Sequence, residues 1–281
     1  MVRAFILRGF GVGAIGGVLA FVFAKIFAEP RIQQAIDYES GRDAAAAILD
    51  KAAGLAPEPE GMDLFSRTIQ GNLGIGVGMI AFGFALGGLY AVGYVLAYGR
   101  TGALKPRNLA VLLALGGFLV LYLVPFVKYP ANPPSIGHPD TIGSRGSLYV
   151  LMVVLSFSFS LAALWLGRKL KPRFGNWNAT LLAALAFVVV MAAAMLVLPS
   201  FGHLQSNLDH YGDFATETPQ PLRDAKGAIV YPGFPADLLY GFRLYSMAAQ
   251  AILWTAIGLC FAPLAERVIA RHSRQPVAML D

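Results

Sequence analysis

Residues 147–198 read SLYVLMVVLSFSFSLAALWLGRKLKPRFGNWNATLLAALAFVVVMAAAMLVL, two apolar stretches (147–166 and 179–198) flanking a loop that carries Arg168, Lys169, Lys171 and Arg173 and no acid. Each stretch has about the 20 residues that an α-helix needs to cross the hydrocarbon core of a bilayer. Four more stretches of this kind lie outward from the pair, at 3–28, 73–97, 108–127 and 244–262. The chain is 57% hydrophobic and only 14% charged, and its mean hydropathy is +0.61, so a soluble globular fold is excluded. The expectation is an all-α integral membrane protein with six transmembrane helices in one bundle, forming a single transmembrane domain over 1–281.

Charge sorts the connecting segments. Arg100, Lys105 and Arg107 fall between stretches two and three, and both termini add arginine at Arg3, Arg8, Arg267, Arg271 and Arg274. Basic residues in short loops stay on the cytoplasmic side, which places both termini inside the cell (inner or plasma) membrane. The remaining segments hold fourteen of the sixteen carboxylates and the histidines His138, His203 and His210, so the acidic side faces out. The formal charge of +6 resides largely in the inner loops and answers to topology and anionic lipid rather than to nucleic acid, since no aromatic-interleaved basic patch accompanies it. The single cysteine, Cys260, lies in the sixth stretch and excludes a disulfide framework.

Two outer loops of about forty residues, 29–72 and 199–240, are too short to be domains of their own. In the first, Ile32, Ile36 and the run 44–49 predict short amphipathic helices, ended by Pro57-Glu58-Pro59-Glu60-Gly61. Asp63 is placed to cap the helix that follows, with Arg67 and Gln70 continuing its polar face at i+4 and i+7. Gly9, Gly13 and Gly17 share a face of the first stretch, as do Gly74 with Gly78 and Gly83 with Gly87 in the second. Small residues four apart let helix backbones approach, so these two helices are expected to be neighbours. Gly11, Gly13 and Gly16 match a dinucleotide fingerprint as a string, but that motif works only between a strand and a helix.

No Asp, Glu, His, Lys or Arg occupies the middle of any apolar stretch, so an ion-coupled carrier with a mid-membrane charge is not indicated. Ser156, Ser158, Ser160 and the methionines Met152, Met191, Met195 and Met247 remain. Met191 and Met195 stand one turn apart and offer soft sulfur to a metal, or fill gaps in an apolar bundle as methionine commonly does. Outside, His138-Pro139-Asp140 offers imidazole and carboxylate, and His203, Asn207 and His210 repeat at i, i+4 and i+7 beside Asp209. Such ligands suit Co²⁺, Ni²⁺ or Zn²⁺. In Lys128-Tyr129-Pro130-Ala131-Asn132-Pro133-Pro134, three prolines fix an extended backbone that either holds Asn132 at a site or serves as a stiff connector.

That KYPANPP segment, with Phe27-Ala28-Glu29-Pro30, Ser66-Arg67 and Gln70, Tyr98-Gly99-Arg100, Thr141-Ile142 with Arg145 and Tyr149, Asn178-Ala179-Thr180, Leu198-Pro199, and Phe234-Pro235-Ala236-Asp237-Leu238 before Phe242-Arg243, resembles the CbtA family, the proposed cobalt transporter subunit associated with cobalamin synthesis. The resemblance spans nearly the whole chain. It implies a membrane protein for metal uptake, with cobalt as the cargo rather than a tightly bound cofactor, and a small single-span partner with a histidine-rich end. The stretch from Ser200 to Gly233, which holds His203 and His210, is longer than the family pattern, so those histidines are not carried by the resemblance.

The reading is therefore a divalent-metal uptake subunit whose outer mouth gathers the ion through Glu29, Asn132, His138, Asp140 and Asp237. Arg67, Gln70, Lys128, Arg145 and Arg243 shape or gate that mouth, and Glu29 or Asp237 can pair with Lys128 or Arg243 instead of metal. The other candidate is a non-transporting accessory subunit, which the uncharged helix interiors also suit. A membrane enzyme has no Ser-His-Asp order, HExxH or phosphate loop to support it. The lipid bilayer is the one certain partner, and a homo-oligomer fits the same description.

Overall fold

The computed structural model describes residues 1–55, 66–102, 104–212 and 216–273, with only the backbone of His210 and Tyr211. The described elements are α1 (Val2–Phe27), α2 (Glu29–Ala53), α3 (Arg67–Ala97), α4 (Pro106–Lys128), α5 (Ile142–Val197), α6 (Gln205–Tyr211), β1 (Leu222–Arg223), β2 (Ile229–Tyr231) and α7 (Ala236–Ser273). Five helices among the described residues are long and apolar enough to cross a membrane, belonging to α1, α3, α4, the stretch that contains α5, and α7.

α5 accounts for both apolar stretches of 147–198. Its 56 residues would run about 84 Å if straight, against a hydrocarbon core of about 30 Å. Gly175 breaks the helical path with φ 73° and ψ 173°, a conformation open essentially to glycine alone. Beyond it the chain returns along itself: a Cβ on Gly167 would lie 3.4 Å from that of Ala183, and Met152 shares a buried cluster with Met191 and Tyr129. α5 is thus a helical hairpin.

Two further stretches depart from regular helix, and the first has a local cause. α4 widens into a π-helical stretch at Phe118–Leu123 just before Pro125. A proline ring collides with the carbonyl four residues back, here that of Leu121, and the wider turn moves that carbonyl aside. α3 opens with a π turn over Gln70–Gly74.

The outer loops differ from the sequence expectation. Residues 29–53 form one 25-residue helix rather than short amphipathic pieces. Pro30 sits in the first turn, where no amide is needed, and Gln33 donates to Asp37 across one turn at 2.8 Å. Pro57 to Gly61 and Asp63 lie outside the described residues. The second loop adds a small antiparallel hairpin, with Arg223 paired to Ile229. Asp224 Oδ1 accepts from the amides of Lys226 and Ala228, and Gly227 supplies the positive φ (83°) that closes the turn.

The described residues group into two compact units. The first comprises Met1–Arg31, Pro59–Phe118 and Leu244–Asp281. Its centre is the contact of α1 with α3, where glycine backbones meet directly beside the stacked rings of Phe10 and Phe84. A Cβ on Gly13 would fall on the Gly83 carbonyl oxygen, one on Gly87 would fall on the Gly9 oxygen, and one on Gly83 would lie 2.5 Å from the Gly13 oxygen. Gly78 meets nothing within 4 Å and Gly74 meets only Ile69 in its own helix. Those two stand nine residues before Gly87 and Gly83, a half-turn away, so they look off the contact. An aromatic cluster closes one end: Phe5 lies 5.3 Å from Tyr94, and Phe261 meets Tyr94 and Tyr90 at 5.1 and 5.2 Å. Tyr90 donates to the Ala110 carbonyl at 2.6 Å, satisfying its hydroxyl inside the bundle.

The second unit comprises Ile32–Glu58 and Leu119–Arg243. Ala35 and Tyr38 of α2 pack with Ile136, Phe234 and Leu238, and the Tyr38 hydroxyl donates to the Pro232 carbonyl at 2.9 Å. A second buried cluster joins Tyr129 to Met152 and Met191, with Met195 and Phe201 against it.

The glycine contact of the first unit is directly testable. Gly13→Ala puts a methyl where a backbone oxygen lies and forces the helices apart, which should cost about 1–3 kcal/mol, the usual range for overpacking. Gly11→Ala, where nothing stands within 4 Å, should leave stability unchanged. Thermal unfolding of the two purified proteins in detergent makes the comparison; equal midpoints would refute the contact.

Candidate functional site

Glu29 is the first residue of α2, where a carboxylate is favoured by the exposed amides of a helix start. It does not stand alone. Arg67, at the start of α3, donates through Nη2 to Glu29 Oε1 at 2.5 Å. A Cβ on Gly71 would land on that same Glu29 oxygen, so the bare glycine makes room for the pair. Lys25, in the last turn of α1, donates to the Gly71 carbonyl at 2.8 Å. Of the expected mouth residues, the first unit therefore brings Glu29 and Arg67 together, with Gln70 opening the π turn beside them. Arg67, rather than Lys128 or Arg243, is the partner of Glu29.

In the second unit, Lys128-Tyr129-Pro130-Ala131-Asn132-Pro133-Pro134 is anchored at Tyr129. Its ring is buried and stacks on Phe201 with centroids 4.3 Å apart, while its hydroxyl donates to the Pro199 carbonyl at 2.7 Å. The rigid loop then holds Asn132 between opposite charges. Asn132 Nδ2 donates to Glu217 Oε2 at 3.0 Å, and Asn132 Oδ1 accepts from Arg243 Nη2 at 2.7 Å. Arg243 also donates through Nε to the Ala131 carbonyl at 3.3 Å. From the other side, Arg145 places Nε 3.4 Å from Glu217 Oε1 and donates through Nη1 to the Ile136 carbonyl at 3.2 Å.

Glu217 is the residue that the sequence reading missed. Nothing in Thr216-Glu217-Thr218-Pro219 separates it from the other loop carboxylates. Its side chain is only 7% exposed. Burial pushes its carboxyl above the ordinary range, while Arg145, hydrogen bonds from Thr141 and Asn132, and Arg243 pull it back. Asn132, Arg145 and Arg243, all expected at the mouth, thus converge on one unexpected acid, and Lys128 lines the same cleft of about 280 Å³.

His138 and Asp140 are also adjacent. His138 Nδ1 accepts from the Asp140 amide at 3.3 Å and lies 3.5 Å from Asp140 Oδ2. One ring nitrogen cannot accept from the amide and donate to the carboxylate at once, and the cap of the turn Pro139–Thr141 fixes the unprotonated Nδ1. Asp140 and Asp237 are exposed, the latter in the first turn of α7. Among the described residues, no three His, Cys, Asp or Glu side chains converge as a metal centre.

The His203, Asn207, His210 spacing does not form one helical face. His203 belongs to a 3₁₀ turn, Phe201–His203, and bonds Ser200 at 2.6 Å, while α6 starts only at Gln205. Asn207 is buried and donates to the Phe201 carbonyl at 2.7 Å, a structural role. Asp209 is bonded by Gln205. Met152 and Met191 are buried around Tyr129 as core packing.

Long apolar helices whose polar groups gather at helix ends define a multi-pass membrane protein. The chain belongs to the CbtA family, described as a probable cobalt transporter subunit, and the match covers residues 2–266. It is thereby a membrane protein of cobalt transport. No curated protein and no solved structure matches the chain.

The Arg145 guanidinium lies against Gly137, whose φ is 99° and whose missing Cβ would fall on Arg145 Nη1. Gly137→Ala is therefore strained twice, in its own backbone and against Arg145, and should lower stability by about 1–3 kcal/mol. Gly143→Ala, in open space inside α5, should be neutral or slightly stabilising. Unfolding midpoints in detergent decide it, and an unperturbed Gly137→Ala would mean that Arg145 does not rest there.

Proposed function

We propose that the protein is the membrane subunit of a cobalt uptake system that serves cobalamin synthesis. The family match over nearly the whole chain carries this reading. Six spans cross the cell membrane as one domain, with the hairpin α5 supplying two of them and both termini in the cytoplasm; the acid-free basic loops support that orientation. Cobalt is cargo. A small single-span partner with a histidine-rich end supplies further ligands; the description of the family as a subunit supports a complex with a partner, without identifying it.

The proposed metal contacts are Glu29, Asn132, His138, Asp140 and Asp237. His138 and Asp140 form the accessible imidazole and carboxylate pair, with Asp237 as a further exposed acid that raises the local concentration of divalent ions. Glu29 and Asn132 differ in kind, because an ion reaching them must displace an arginine. Gln70, Lys128 and Arg145 act on shape and gating.

Orientation is checked with single cysteines in a Cys260→Ser background, labelled in intact cells by a membrane-impermeant thiol reagent. Positions 138 and 224 should label, and 100 and 169 should be protected; labelling at 169 would reverse the topology.

Uptake of radioactive cobalt into liposomes, by the purified chain with and without its membrane partner, tests the function itself. Transport by the complex supports the reading, and a complex that binds but never transports would make this chain an accessory subunit. In that assay the double variant His138→Ala with Asp140→Asn should lose at least about tenfold in uptake at low cobalt, in keeping with the loss of ligands. His272→Ala should be silent, and normal uptake by the double variant would move the contact elsewhere.

A further inference from the structure

Two hollows adjoin in the second unit, and their chemistry differs. One, of about 280 Å³, is lined by Lys128, Asn132, Glu217 and Arg243. The other, of about 310 Å³, is walled by the aromatic side chains of Tyr122, Phe126, Tyr129 and Tyr149 and includes Arg145. Asn132, Pro130 and Phe201 line both. Those three residues form the shared wall, and Arg145 of one hollow lies 3.4 Å from Glu217 of the other.

Charge in this pair of hollows does not balance. Lys128, Arg145 and Arg243 face one carboxylate, so two positive charges are left over among the described residues. Uncompensated charge in partly buried surroundings is costly, and a counter-ion relieves the cost. Hydrogen bonding is also incomplete. Arg145 Nε and Glu217 Oε1 are 3.4 Å apart yet misaligned, and each is a buried atom that forms no hydrogen bond. A guanidinium fork with an unused donor beside a second guanidinium matches a tetrahedral oxyanion, which accepts several charge-assisted bonds at once. With the arginines in place the set favours an anion, and a divalent cation must first displace Arg243 from Asn132.

We propose that these adjoining hollows bind a phosphate-type oxyanion, held by Lys128 and Arg243 of one and Arg145 of the other, with Glu217 as a built-in competitor for the same cations. The aromatic hollow next to it accommodates an apolar tail, which favours a phosphate esterified in a lipid headgroup over the free ion. The site shares Asn132, Lys128 and Arg145 with the proposed metal mouth, but anion binding is assayed without cobalt, so its failure is distinguishable from a failure of uptake.

The test uses the full chain, purified and reconstituted in nanodiscs of mixed phosphatidylglycerol and phosphatidylcholine, with the lipids that stay bound after extraction counted by native mass spectrometry. Wild type should retain phosphatidylglycerol at least tenfold over phosphatidylcholine. Arg145→Gln and Arg243→Gln should each abolish that preference, while Arg100→Gln, in a separate basic loop, should keep it. Glu217→Gln should strengthen retention, an outcome that a merely damaged fold cannot produce and that stands even if an arginine variant fails to fold. Inorganic phosphate that displaces the lipid at millimolar concentration would identify the free ion as a ligand of the same site, and phosphate without effect would assign the site to lipid. Equal retention of both lipids by wild type with no stabilisation by phosphate, or weakened retention in Glu217→Gln, overturns the proposal.

Discussion

Hydrocarbon offers no hydrogen-bond partner, so each apolar segment of this chain must satisfy its own amides and carbonyls, and nearly every structural feature follows from that constraint. It makes the apolar stretches helical whatever their propensities, including the β-branched run of α5. The breaks in helical order occur where a proline or glycine dictates them. Pro125 follows a widened turn, and Gly175 reverses the chain beside a basic loop that carries its own charge. Among the described residues, irregular backbone otherwise lies mainly in the segments between helices, whose carbonyls accept from the side chains of Tyr38, Tyr129 and Arg243.

The same logic governs charge. The middles of the apolar stretches hold none, and the buried acids are not free. Glu29 has Arg67, and Glu217 has Asn132 and Arg145. Asn132 takes part on both sides, donating to a carboxylate and accepting from a guanidinium, so one neutral amide joins two opposite charges without displacing either. Within each unit, the buried carboxylates are paired with arginine or amide, and the exposed acids lie outside these pairings.

Much of the architecture could be read from residue order. Apolar length located the helices, and the four-residue spacing of Gly9, Gly13 and Gly17 pointed to the α1 and α3 contact, because both signals are local. Length alone could not show that 29–53 is one helix, since its polar composition lacks the apolar periodicity that marks a packed face. Nor could it place Glu217. That carboxylate matters through residues 72 and 85 positions away, and long-range pairing leaves no trace in its immediate neighbours. The cluster was half legible: KYPANPP marked Asn132 as rigidly held, while the group it was held for remained hidden.

The bare contact of α1 with α3 also limits motion. With glycine carbonyls seated where side chains would be, a slide of one residue brings Val12 or Ala14 against the facing backbone, and only a step of four residues, about 6 Å, restores the fit. No small adjustment is available between these two helices. They must travel as a single rigid body, and any rearrangement during a transport cycle falls to the joints elsewhere in the chain.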